Sequence, residues 1–203
     1  MLIRRKISLD YLRNKPNIKL YQDLRFFKIN SDTCNLGESY YNNNPEALVL
    51  DIGTNNGALL LYAALFPYKK LVGIDINKKG LKIAKKNLKM NKIKNFELIY
   101  GNFLDYNFLI KFDKILINPP YFTNQLQSNN KFLMNAKHDN LLPLDLLINK
   151  CSKILKDNGS IFIVHRVENL SLLNNEIKKN NLYFKEIKNY NKTFIAEIKR
   201  VVE

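Results

Sequence analysis

The chain has 203 residues, 46% of them hydrophobic, with 33 Lys+Arg against 18 Asp+Glu and a formal net charge of +15. That length holds one substantial core but not two full domains, and no apolar run approaches the ~20 residues of a bilayer span. Cys34 and Cys151 lie far apart in a chain with two His, which argues against a structural zinc site, and the cationic excess points to a polyanionic partner.

The abundance of Lys, Asn and Ile throughout would also raise the charge without selection for binding. Met1-Leu2-Ile3-Arg4-Arg5-Lys6 is charged but leads into no apolar run of signal-peptide length. The expectation is a cytosolic, reduced protein with neither a membrane partner nor a metal.

Residues 1–45 are polar and aromatic and end in a loop, Tyr40-Tyr41-Asn42-Asn43-Asn44-Pro45. From Ala47 the pattern alternates between strand and helix. Strands are predicted at Ala47–Ile52, Leu71–Ile76, Phe96–Tyr100, Phe112–Ile117, Ser160–His165, Tyr183–Tyr190 and Thr193–Val202. Helices are predicted at Gly57–Phe66, Lys78–Met90, Leu141–Leu155 and Leu170–Lys179, with Gly159 as a stop signal for the third. Asn191-Lys192 suits a tight hairpin turn. The class is α/β: a Rossmann-like, seven-stranded, mostly parallel sheet with helices on both faces and an antiparallel terminal strand. Leu81, Ala84 and Leu88, Leu141, Leu144, Leu147 and Ile148, and Leu172, Leu173 and Ile177 form apolar stripes that read as core.

Ligands of such sheets bind across the carboxyl ends of the strands. The first strand leads into Asp51-Ile52-Gly53-Thr54-Asn55-Asn56-Gly57, where two glycines let a turn pass close to a ligand. Asp75, 24 residues after Asp51, ends the second strand; it either accepts both hydroxyls of a ribose or caps the helix at Lys78. Ile76 beside it offers an apolar surface for a base. After the third strand come Asn102 and Phe103, an amide next to an aromatic ring. The glycine spacing is not that of a dinucleotide loop, and Asp51 would repel a pyrophosphate but attract a cationic, amino-bearing ligand.

Asn118-Pro119-Pro120-Tyr121 follows the fourth strand. Two prolines supply no backbone donor and hold the chain extended, so the turn presents acceptors, the Asn118 amide oxygen and the Pro119 carbonyl, beside the flat face of Tyr121. Acceptors plus a stacking face suit a planar amino-bearing group: an amide or a nucleobase amine.

With these residues in order, the chain resembles the class I S-adenosylmethionine-dependent amino-methyltransferases. More narrowly, it is similar to the bacterial tRNA1(Val) adenine-37 exocyclic-amine methyltransferases. Phe26-Phe27-Lys28-Ile29-Asn30-Ser31-Asp32, Asn118-Pro119-Pro120-Tyr121-Phe122 and Ala136-Lys137-His138-Asp139 carry the resemblance over nearly the whole chain. Asn55 departs from a glycine usual in that family, although Asn tolerates left-handed geometry. Asn102 departs from an acidic residue that commonly accepts from the cofactor adenine amine.

The resemblance implies S-adenosylmethionine as cofactor, held by Asp51, Gly53, Asn55, Gly57, Asp75, Ile76, Asn102, Phe103 and Asn118. It implies catalysis by Asn118, Pro119 and Tyr121, and tRNA contacts from Pro120, Tyr121, Phe122, Lys137, His138 and Arg166. His138 is otherwise a solvated histidine and Arg166 an exposed one. Residues 1–45 become an extension covering the cofactor and substrate site, and 46–203 the methyltransferase domain, in one compact unit. The same Asn-Pro-Pro-Tyr turn serves methylation of a glutamine side chain in release factors, and a non-catalytic RNA-binding relic is a third reading.

Overall fold

The computed structural model describes residues 7–23, 28–119 and 142–201. In chain order its strands are β1 (Ile7–Leu12), β2 (Lys15–Asp23), β3 (Leu48–Ile52), β4 (Lys70–Asp75), β5 (Phe96–Tyr100), β6 (Phe112–Ile117), β7 (Leu155–Arg166), β8 (Leu182–Tyr190) and β9 (Thr193–Arg200). The described helices, numbered here in chain order, are α1 (Ser31–Ser39), α2 (Ala58–Ala63), α3 (Lys78–Met90), α4 (Leu144–Ile154) and α5 (Leu170–Lys179). Strands β3 to β9 form one seven-stranded sheet in the order β5-β4-β3-β6-β7-β9-β8. Every neighbouring pair from β5 through β7 is parallel, whereas β9 runs antiparallel to both β7 and β8. The antiparallel terminal strand is therefore the last in sequence and the second from the edge in space.

Alternation along the strands divides the core into two layers. On β3, Leu50 and Ile52 face one way with Ile115, Ile117, Ile161 and Ile163 of β6 and β7, against Leu147, Ile148 and Cys151 of α4 and Leu173 and Ile177 of α5. Val49, Leu116, Phe162 and Val164 face the other way, against Leu36 of α1, the whole of α2 and Leu88 of α3. Asp51 shares this second face with Val49.

The first 45 residues hold more structure than their composition suggests. β1 and β2 pair as an antiparallel hairpin of their own, separate from the main sheet. Its second strand, β2, lies against α3, where two helix side chains stand in for a neighbouring strand. Asn87 accepts from Tyr21 N at 2.7 Å and donates to Tyr21 O at 3.0 Å; Asn91 does the same for Lys19 at 3.0 and 2.6 Å. Lys86 sits over the Tyr21 ring at 3.6 Å. α1 begins at the N-cap Asn30, and beyond it Tyr40 wedges edge-on against Phe66 and Phe162.

Boundaries shift where local chemistry overrides periodicity. The helix expected from Leu141 starts at Leu144 with Pro143 as its N-cap, because a proline inside a helix has no N–H for the ladder. It passes directly into β7 at Leu155, so Gly159 is not a helix stop. Leu155 pairs with Phe112 and Ser160 with Lys114, and residues 156–159 bulge between them. Left-handed backbone at non-glycine positions falls on Asn14, Asn55, Lys92, Asn95, Asn181 and Asn191. Asparagine's short polar side chain tolerates that region, and here it does most of the work usually left to glycine.

Gly37 of α1 lies flat on the ring of Tyr62 in α2; a Cβ there would stand 2.2 to 2.7 Å from ring atoms. Tyr62 is 1% exposed and has no room to withdraw. Gly37→Ala should therefore lower stability by about 1–3 kcal/mol in thermal or urea unfolding. Gly101→Ala, whose Cβ would meet nothing closer than 3.9 Å, should stay within about 0.5 kcal/mol of the parent.

Candidate functional site

From β3 the chain turns to β4 and β5 on one side, and it later returns to lay down β6 and β7 on the other. In an open sheet of this kind the ligand crevice lies outside the carboxyl ends of the strands at such a reversal, here those of β3 and β6. Register sets the four candidate strand ends side by side. Ile52 pairs with both Ile74 and Ile117, so Gly53, Asp75 and Asn118 follow at one level, and Tyr100 pairs with Asp75.

The turn after β3 is pinned rather than loose. Gly53 N and Thr54 N both donate to Ile74 O, at 2.9 and 3.2 Å, and Gly57 N donates to Thr54 O at 2.8 Å. Asn55 is left-handed at φ 47°, and Gly57 at φ 81° opens α2. Gly57 is also where helix meets helix: a Cβ would lie 3.1 Å from Cβ of Ala84 in α3. Asn55 thus adopts the conformation its place in the loop demands despite its side chain.

Asp51 is the most unusual group in the molecule. It is 0% exposed, and neither carboxylate oxygen has a hydrogen-bond partner among the described residues. Burial pushes its carboxyl up to about 8 against an opposing pull from the Thr54 hydroxyl, and the charge of Asp75 adds to the rise. A sealed carboxylate without a donor is expensive, and it becomes favourable only beside a cation or amino group that enters the crevice.

Asp75 is tied down instead. Its two oxygens accept from Asn55 N and Asn77 N, each at 2.6 Å. Burial holds it above the usual carboxylate range, against those two amides, which pull it down. It is not the helix cap: Asn77 caps α3, its Oδ1 accepting from Lys79 N and Gly80 N. Ile76 is 43% exposed, an apolar surface at the crevice rim. Asn102 uses its Oδ1 to accept from Leu104 N at 3.0 Å, shaping the turn after β5. Phe103 is 4% exposed and packs in the core against Phe108, so its ring belongs to the layer beneath the crevice.

Asn118 donates from Nδ2 to Oγ1 of Thr33 at 2.9 Å, which brings α1 to the end of β6. Pro119 is buried beside it. Pro120, Tyr121, Phe122, Lys137 and His138 lie outside the described residues. Arg166 stands at the end of β7, half-buried, its backbone N–H donating to Nδ1 of His165 at 2.9 Å. Burial lowers the His165 imidazole to about 4, so it is neutral at pH 7. Sequence reasoning overlooked Thr33 and Asn77. Asn77 was findable as an N-cap directly before an apolar-periodic run; Thr33 carried no signal, since its partner is 85 residues away. Asp32, nearby, accepts from Thr193 at 3.1 Å and ties α1 to β9.

The model of the family described as Methyltransferase domain matches residues 43–201. The chain belongs to this family. Its fold is that of the class I methyltransferases, whose cofactor is S-adenosylmethionine. Over 127 residues it is 38% identical to a release factor glutamine methyltransferase of Buchnera aphidicola, covering 58% of this chain and 46% of that protein. Over 138 residues it is 30% identical to a tRNA1(Val) (adenine(37)-N6)-methyltransferase of Vibrio campbellii, covering 67% of this chain and 57% of that one. The chain thus spans about half the length of these relatives. Among solved structures it is similar to M. jannaschii TYW2 in complex with AdoMet, with TM-score 0.63, 16% identity and 99% and 90% of the two chains covered. It is also similar to the ribosomal protein L11 methylase of Lactobacillus delbrueckii, with TM-score 0.64, 18% identity and 85% and 80% covered. No described helix is long and apolar enough to cross a membrane.

The Asp51 carboxyl yields a stability test. With its folded value near 8 against 3.8 unfolded, the folded state holds a proton between those limits that the unfolded state has released. Its stability cost is absent below about pH 4 and grows as pH rises toward 8. Asp51→Asn should therefore unfold later than the parent at pH 7, by on the order of 4 kcal/mol, with the gap closing toward pH 4. Denaturant unfolding of the cofactor-free protein at both pH values reads this directly.

Proposed function

We propose that this protein transfers a methyl group from S-adenosylmethionine to the exocyclic amine of an adenine in tRNA, at the position 3′ of the anticodon. The reading that the acceptor is an amine rests on Asn118 and Pro119 at the switch point, one strand away from the carboxylate of Asp51, with Pro120 and Tyr121 next in the sequence. On this reading Asp51 holds the cofactor's ammonium, Asp75 its ribose, and Ile76 and Asn102 its base. The loop from Gly53 through Asn55 to Gly57 lets the backbone approach, and the N-terminal segment reaches the site through α1. The cofactor supplies an electrophilic methyl on a sulfonium.

An adenine amine is a weak nucleophile because its lone pair is shared with the ring. Asn118 Oδ1 and the Pro119 carbonyl accept its two hydrogens, which draws the nitrogen toward tetrahedral geometry and stabilises the charge it acquires. Tyr121 and Phe122 stack on the turned-out base. No strong base is required, since the methylated ammonium loses its proton readily to water.

RNA is favoured over protein by one observation. Lys78, Lys79, Lys82, Lys85, Lys86, Lys89, Lys92 and Lys94 are all exposed, and no acidic residue occurs between Ile76 and Asn95. None of the eight forms an ion pair among the described residues. Such a ridge attracts phosphates by releasing their counterions. Lys137, His138 and Arg166 would add contacts nearer the base. The 38% identity to a glutamine methyltransferase sustains a second reading, in which the same acceptors bind a carboxamide.

Label transfer from methyl-tritiated S-adenosylmethionine to an unmodified tRNA pool, followed by nucleoside analysis, separates the two. Label is expected in amine-methylated adenosine; label appearing instead in added release factor selects the glutamine reading. Asn118→Ala should remove turnover by a hundredfold or more while calorimetric cofactor affinity stays within about threefold. The pair Lys82→Glu and Lys89→Glu should weaken tRNA binding at least about tenfold and flatten its salt dependence, with cofactor affinity unchanged.

A further inference from the structure

A carboxamide has two ends of nearly equal size, and only one of them can accept a hydrogen bond. If Asn118 is to receive hydrogens from a substrate amine, its oxygen must face the crevice. The opposite flip would set one NH2 against another. Something in the protein has to choose.

The Thr33 hydroxyl is a neighbour of the Asn118 side chain, but a hydroxyl both donates and accepts and would tolerate either flip. It becomes selective once its single proton is committed elsewhere. Thr33 Oγ1 lies 3.0 Å from Oδ1 of Asn30, the N-cap of α1. That same Oδ1 accepts from the backbone N–H of Thr33 at 2.9 Å. A backbone N–H can only donate, so the Asn30 atom facing it is oxygen. An oxygen that can only accept takes the Thr33 hydroxyl proton, and the hydroxyl then has only lone pairs for Asn118. The Asn118 atom at 2.9 Å is thereby fixed as Nδ2, a donor, and its Oδ1 is turned away from α1.

We infer that the Asn30–Thr33 cap is a polarity relay that sets the flip of Asn118, anchored at one end by a backbone amide that cannot reverse. Thr33 is a positioning residue, and the inference rests on the reading that Asn118 accepts from the substrate amine. The cap of a helix near the amino terminus, formed by residues with no part in the chemistry, thus selects which face of the carboxamide the substrate meets.

The test pairs a spectroscopic readout with turnover, on the full-length protein. In 15N-labelled protein the side-chain NH2 pair of Asn118 is assigned by its loss in Asn118→Ala. In Thr33→Val, which keeps the shape but removes the acceptor, that pair should shift and its hydrogens exchange faster with water. In Thr33→Ser it should stay in place. Single-turnover methyl transfer should fall about tenfold or more in Thr33→Val and recover to within about threefold of the parent in Thr33→Ser. Calorimetric cofactor affinity should stay within about twofold in both.

Two results overturn the relay: an Asn118 NH2 pair unmoved by Thr33→Val, or Val and Ser variants equally slow. A cofactor affinity that falls in step with the rate also sinks it, since that pattern marks α1 as mere packing. If Asn118→Ala itself retains turnover, the reading of the site fails, and the NH2 resonance of Thr33→Val still decides the relay independently.

Discussion

The carboxylate of Asp75 is the joint on which the site is assembled. One oxygen holds the backbone of the β3 turn at Asn55, and the other holds the backbone at Asn77. Asn77 in turn caps α3, and α3 carries Asn87, whose amide binds both Tyr21 of the hairpin and Asn56 O of the same turn, the latter at 2.8 Å. A single half-buried acid therefore links the turn, the helix and the N-terminal hairpin into one closed circuit. Each member uses a group that would otherwise be an orphaned donor or acceptor, which is why the circuit costs little to maintain.

Asp51 stands one strand away under the opposite condition. It is as buried as the apolar residues around it, and neither of its oxygens meets a hydrogen-bond partner within normal geometry among the described residues. On the proposed reading the two acids have different parts: Asp75 contributes to the order of the free protein, and Asp51 keeps a stabilising interaction in reserve for the cofactor. Stability sacrificed at one residue while its neighbours are saturated is the pattern expected of a binding centre.

Much of the architecture was legible because it rests on periodicity. Lys78–Met90 is strongly amphipathic, with Asn77 before it and no competing signal within, and both ends of α3 fall where the pattern puts them. The order of residues at the strand ends was legible too, since a parallel α/β sheet leaves one edge for ligands. The hairpin was missed although its signals were present: Ile7, Leu9 and Tyr11 alternate with polar residues, and the turn holds left-handed Asn14. Mixed strands and a short turn do not stand out against a polar, aromatic background. Asn102 and Phe103 read correctly as strand-end residues, but which way each side chain is spent is a tertiary matter. A chain of letters does not show that one oxygen closes its own turn, or that one ring drops into the core.

The asparagines at left-handed positions bear on the unfolded chain rather than the folded one. This sequence has seven glycines in 203 residues, and it turns corners at Asn14, Asn55, Asn95, Asn181 and Asn191 instead. Glycine accepts positive φ without strain but leaves the denatured backbone its greatest freedom, all of which folding must remove. Asparagine meets the native turn at modest steric cost and leaves the denatured ensemble narrower. An asparagine-rich composition here trims the entropy that each tight turn asks folding to overcome.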